Sequence, residues 1–165
     1  MSFSEKLKLG EVVPYLNLPS NKNGNVSLWD LKQRKNLVII FYHGTYCVHC
    51  TAKLKELAEV YTRAKELETE ILAVSFDNIE ELKRHAKRIA MPFHLLSDET
   101  RETTVTFTYI DIENNVPLPS IYITDRLGVL RYQKIVSEAH ELPDGKEIIS
   151  WLLLIQTECP ECSHL

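Results

Sequence analysis

Cys47-Val48-His49-Cys50 holds two thiols three residues apart, and the same spacing recurs at Cys159-Pro160-Glu161-Cys162. Such a pair can exchange with a disulfide, contribute half of a zinc site, or simply pack. The surroundings of the first pair favour exchange. An apolar run delivers the chain to a short turn, His43-Gly44-Thr45-Tyr46, and an amphipathic stretch starts at or near Cys47. At a helix start the unpaired N–H groups and the positive end of the helix dipole favour a thiolate. There a cysteine pKa can drop from about 8.5 into a range of roughly 3.5–7.5. Cys47 is therefore expected to attack. Cys50, one turn further in, is expected to be more shielded and to resolve a mixed disulfide formed on Cys47. His49, inside the motif, would stabilise the Cys47 thiolate further and make the pair more oxidising.

The elements that must hold this pair can be read on either side of it. Leu37-Val38-Ile39-Ile40-Phe41-Tyr42 is a continuous β-branched and aromatic run, the pattern of a strand buried on both faces. From Cys47 to Glu68 the period is helical, with Leu54, Leu57, Ala58, Tyr61, Ala64 and Leu67 on one stripe. Ile71 to Phe76 reads as the next buried strand, and Asp77-Asn78 offers capping side chains to a helix from Ile79 to Ala90. Glu80 and Glu81 early in that helix, and Arg84, Lys87 and Arg88 late in it, suit its dipole. Phe93 to Leu96 is a short strand. Thr100 to Tyr109 is open between strand and short helix. Ser120 to Thr124 and Val129 to Gln133 form a hairpin around Asp125-Arg126-Leu127-Gly128, where Gly128 can supply a positive φ. Pro143 and Asp144 open a last helix, to about Gln156, with Ile148, Trp151, Leu152 and Ile155 facing inward.

Strands alternating with helices imply an α/β fold, a mainly parallel sheet covered on both faces, with the closing hairpin as an antiparallel edge. Its 165 residues suit one domain. The reading divides the chain into a domain at 1–156, whose first 25 residues are an irregular lead-in, and a flexible tail at 157–165. A net charge of −4 does not suggest nucleic acid as a partner. The apolar runs are too short to span a bilayer, and no apolar stretch of a signal peptide stands near the N-terminus. A cytoplasmic location is the expectation.

Two segments resemble the thioredoxin-like redoxin superfamily, which includes the AhpC/TSA-type peroxiredoxins. Val38 through Cys50 looks like that family's strand leading into its C-x-x-C helix, with Tyr46 where an aromatic residue precedes the first cysteine. Leu118-Pro119-Ser120-Ile121-Tyr122-Ile123-Thr124-Asp125 looks like its cis-proline strand and turn. The resemblance runs from about Gly10 to Gln156 and implies a thioredoxin-like three-layer fold. It implies that Pro119 has a cis bond and lies near the cysteines, against the plainer reading of a trans proline at a strand edge.

The middle of the chain, Val74-Ser75-Phe76-Asp77 through Phe93 to Asp98, is similar to peroxiredoxins, which carry a P-x-x-x-[TS]-x-x-C motif. Aligned to it, His43 replaces the proline, Cys47 replaces the Thr or Ser, and Cys50 takes the peroxidatic position. The expected arginine falls at Pro119. The buried acid of thioredoxins is replaced by Phe41, so proton transfer would need His43, His49 or a Glu.

The second pair, Cys159 and Cys162, has three readings: a redox relay, a metal site with His164, or an exposed tail with incidental thiols. His85, His94 and His140 match no motif. Taken together, the sequence points to a thiol–disulfide oxidoreductase working through Cys47 and Cys50, with Pro119 and His49 beside them. A disulfide-bearing protein or small molecule is the expected substrate and a thiol reductant the electron donor; no cofactor or metal is assigned. The alternatives are a thiol peroxidase with Cys50 peroxidatic, and a metal-binding or docking module on the same scaffold.

Overall fold

A computed structural model describes residues 3–31 and 34–158. The part read as an irregular lead-in does more than lead in. A hairpin of β1 (Asn17–Pro19) and β2 (Asn25–Ser27) runs into the one-turn α1 (Leu28–Leu31). Val13, Leu16, Leu18, Val26 and Leu28 are all buried core. Strands of three residues are too short to show a period of two, and Pro14 and Pro19 mask what alternation Leu16 and Leu18 carry.

The central sheet begins at β3 (Asn36–Phe41), every residue of which is buried. It is followed by α2 (Val48–Glu66), β4 (Thr69–Ser75), α3 (Ile79–Arg88) and β5 (His94–Ser97). The ambiguous segment resolves into the one-turn α4 (Thr104–Phe107), then a small ladder of β6 (Ile110–Asp111) and β7 (Val116–Pro117). The expected hairpin is β8 (Ser120–Thr124) and β9 (Leu130–Ile135), and Gly128 in its turn has φ +79°. The chain then forms α5 (Gly145–Glu158). This helix takes in Thr157 and Glu158, which the sequence reading placed in the tail. Its first turn is capped by the Asp144 side chain, which accepts from the Glu147 N–H at 2.8 Å.

The sheet order is β5-β4-β3-β8-β9. Pairings of β3, β4 and β5 are parallel and those of β8 are antiparallel, so β8 alone opposes the other four strands. Alternate residues face opposite layers. Val38, Ile40, Tyr42, Ile71 and Ala73 meet α2, α3 and α5 in one core. Leu37, Ile39, Phe41, Leu72 and Val74 meet the N-terminal segment and Phe107 in the other. Helices thus lie on both faces, but unequally: the long ones share one side, and only α1 and α4 are on the other.

Two close approaches fix α5 against α2. A Cβ on Gly145 would come within 2.8 Å of Val60 Cγ1. The buried Lys53 ammonium pairs with Glu56 at 2.8 Å and donates to the Leu142 carbonyl at 3.2 Å, while Glu56 also accepts from the Gly145 N–H at 3.2 Å. The helix that carries the cysteines is therefore anchored along its length. Among the described residues no helix is long and apolar enough to cross a membrane.

Candidate active site

Parallel pairing of β3 with β4 brings their C-terminal ends side by side, with Phe41 opposite Val74. Three residues past this pair, Gly44 and Asp77 meet. Gly44 has φ +150°, and a Cβ there would sit 3.1 Å from Asp77 Oδ2 and 3.1 Å from the Tyr46 ring. Asp77 accepts from the Thr45 N–H at 3.0 Å and from the Ser75 hydroxyl at 2.8 Å. The Thr45 hydroxyl donates to Glu81 at 3.1 Å. The Arg84 guanidinium, and after it this hydroxyl, hold the Glu81 carboxyl below the usual range. The turn before Cys47 is thus tied to the β4–α3 junction. Asn78 caps α3, accepting from the Glu81 N–H at 2.9 Å. Asp77, read in the sequence as a helix cap, positions the cysteine loop instead.

Cys47 is the N-cap of α2, with φ −82° and ψ 112°, and its sulfur accepts from the Cys50 N–H at 3.2 Å. Both cysteines are free thiols. They differ in access: Cys47 is half-buried, while Cys50 is 1% exposed. Burial first, and the hydrogen bond to Cys47 second, push the Cys50 thiol up to about 12, against the pull of the His43 and Gly44 backbone. The site therefore pairs a reachable sulfur with a protonated, covered one.

The histidine at these sulfurs is His43. One of its ring nitrogens and the sulfurs of Cys47 and Cys50 all lie within 4.8 Å of one another. Its Nε2 is buried and has no hydrogen-bond partner among the described residues. His49 does not belong to this group. Two helical steps from Cys47 turn it away, so that it is exposed and its ring lies 6.2 Å from that of His140. The sequence expectation gave His49 this position beside the sulfurs; the histidine grouped with them is His43. As metal ligands, His43 and the two cysteines supply three donors, whereas a structural zinc site takes four.

Pro119 is buried one residue before Ser120, which pairs with Phe41 at the end of β3 nearest the cysteine loop. The Leu118–Pro119 bond is trans, not cis as the family resemblance implies. Hydrogen bonds on both sides hold an extended path here, from the Leu118 N–H to the Tyr109 carbonyl at 2.8 Å and from the Val136 N–H to the Pro119 carbonyl at 2.9 Å. Phe41, which stands in for the buried acid, points to the opposite face of the sheet. There it packs against Phe107 and Tyr122, with centroids 5.2 and 5.9 Å away. Cys159 and Cys162 lie outside the described residues.

The model of the AhpC/TSA family matches residues 9–133. The chain is 29% identical over 128 residues to a chloroplastic peroxiredoxin Q of Triticum aestivum, covering 77% of this chain and 58% of that protein. It is 26% identical over 135 residues to the thiol-disulfide oxidoreductase ResA of Bacillus cereus, covering 81% and 73%. The chain spans less than two thirds of the length of the first peroxiredoxin Q relatives it matches, 58% for the wheat protein and 60% for that of Gentiana triflora. In structure it is similar to Enterococcus faecalis AhpC, with a TM-score of 0.81 at 18% identity over 90% of this chain and 92% of that one.

Proposed function

The chain belongs to the AhpC/TSA family, and from that premise we propose that it is a thiol–disulfide oxidoreductase in which Cys47 attacks and Cys50 resolves. The observation that carries this reading is the unequal pair: Cys47 half-buried at the helix start, Cys50 covered within reach of it. In the first step the Cys47 thiolate attacks one sulfur of a substrate disulfide. A mixed disulfide forms and the other sulfur leaves as a thiolate. In the second, Cys50 gives its proton to His43 and attacks the Cys47 sulfur. The remaining substrate thiolate leaves, and the protein holds a Cys47–Cys50 disulfide. A thiol reductant returns it to the dithiol. A reducing, cytoplasmic setting suits the resting state.

A Cys50→Ser variant should accumulate the covalent Cys47 adduct after exposure to a disulfide, and Cys47→Ser should form none. Absence of the adduct in Cys50→Ser contradicts the scheme.

A second reading, peroxide reduction through Cys50, is favoured by the likeness to peroxiredoxin Q. Against it stand the covered, protonated Cys50 and the replacement of the proline and arginine of the peroxiredoxin motif by His43 and Pro119. Fast oxidation by hydrogen peroxide that survives Cys47→Ser would favour peroxidase chemistry over exchange.

A further inference from the structure

We propose that the cleft flanking Cys47 binds the carboxylate end of a low-molecular-weight disulfide, so that the enzyme prefers anionic small disulfides. This rests on the exchange chemistry above and names its substrate class. The cleft has a volume of about 300 Å³ and is lined by Tyr46, Val48, Thr51, Lys55, His85 and Arg88, among others. Tyr46 and Val48 are the chain neighbours of Cys47, and Thr51 is one turn further along α2. A molecule seated here therefore lies against both chain neighbours of Cys47. The volume is at the small end of the range for small-molecule sites, roughly 300–1,000 Å³, and suits a low-molecular-weight ligand better than a folded partner.

The charge of the cleft selects the ligand. Lys55 and Arg88 are exposed, and neither is in an ion pair within 4.0 Å of a carboxylate among the described residues. His85 is not a third cation. Its Nδ1 accepts from the Arg88 guanidinium at 2.9 Å, which fixes that group at the cleft wall. Burial, and then Arg88, lower its pKa. The carboxylates of this region are already engaged: Glu81 by Arg84 at 2.6 Å and by Thr45, and Asp77 by Thr45 and Ser75. The exposed faces of Tyr46 and Val48 add apolar surface to either side of Cys47 in the chain.

A second cavity offers the opposite charge. Of about 640 Å³, it is bounded by Asp111, Glu113 and Glu138 and touches neither neighbour of Cys47. An anionic substrate is thus drawn to one side of the active-site loop and repelled from the other.

The test uses the reduced full chain and three disulfides: dithiodiglycolate, which carries two carboxylates, neutral hydroxyethyl disulfide, and cystamine, which carries two ammonium groups. Rates of Cys47–Cys50 oxidation are divided by those of a simple monothiol with the same reagents. The normalised anionic-to-cationic ratio should exceed one by about tenfold at low salt and collapse as salt screens the charges. Lys55→Gln and Arg88→Gln should each lower that ratio by about two- to fivefold, and Lys55→Glu should lower it further. A ratio equal to that of the monothiol, or one that none of these variants moves, overturns the proposal. Failure of all three disulfides, the neutral one included, would instead overturn the exchange chemistry itself, and the substrate class with it.

Discussion

The backbone N–H of Cys50 points at the sulfur of Cys47 from 3.2 Å, so the residue proposed to resolve the mixed disulfide on Cys47 is also a donor to that sulfur. The Cys50 thiol is covered and pushed up to about 12 by burial. In the proposed scheme this inequality sets Cys47 to react first and Cys50 second.

This asymmetry predicts selective labelling. Under native, reducing conditions at neutral pH, iodoacetamide should modify Cys47 well before Cys50, and Cys50 should react at a comparable rate only after unfolding. Peptide mass spectrometry on briefly quenched samples distinguishes the two. Equal native labelling would mean that Cys50 is not covered.

A pH dependence of stability follows from the same burial. Cys50 is raised from an ordinary value of 9.0 to about 12, so the folded state keeps a proton that the unfolded chain loses. Below pH 9 both states hold it and the stabilisation is complete. Above that, stability falls with pH, by at most about 1.4 kcal/mol per unit, until the folded pKa is passed. Buried Tyr42, Tyr61 and Tyr122 are also raised, from an ordinary 10.0. Denaturant melts of the reduced protein and of Cys50→Ala should therefore diverge first between about pH 9 and 10, with the wild type showing the steeper decline.

His43 is predicted to act on the second step alone. His43→Asn should leave formation of the mixed disulfide nearly as fast as in the wild type and slow its resolution by about 10²-fold, the lower end of what a positioned base contributes. Rapid-quench mass spectrometry would show the adduct accumulating. A variant that slows the first step and not the second would reassign His43.

Asp77 holds the turn before Cys47, so Asp77→Ala should cost about 1–3 kcal/mol, since it removes the acceptor of two part-buried hydrogen bonds. It should also slow attack by Cys47. Gly44→Ala should do likewise, because a Cβ meets Asp77 and Tyr46 at 3.1 Å. Loss of stability with wholly unchanged attack would show that the tether is structural only.

Most of the scaffold could be read along the chain because its signals are long. Six buried residues in β3 and the stripe on α2 outlast any local ambiguity, and together they identify Cys47 as a helix start. The N-terminal cover was not legible, since its strands are three residues long and broken by prolines. His43 and His49 are equally near the cysteines in sequence. Only the turn, which folds His43 back, and the helix, which rotates His49 outward, separate them. Asp77 lies 30 residues from Cys47, and its role exists only because β4 pairs in register beside β3. The bond at Pro119 takes the trans form that X–Pro bonds ordinarily prefer.

The most direct test is an equilibrium redox titration of the chain in a Cys159→Ser/Cys162→Ser background, with each sample trapped in acid and mapped by mass spectrometry. The account predicts one two-electron transition that joins Cys47 to Cys50 within a single molecule and reverses fully with a thiol reductant. A chain that leaves Cys50 reduced throughout, or links Cys47 only to other molecules, would contradict it.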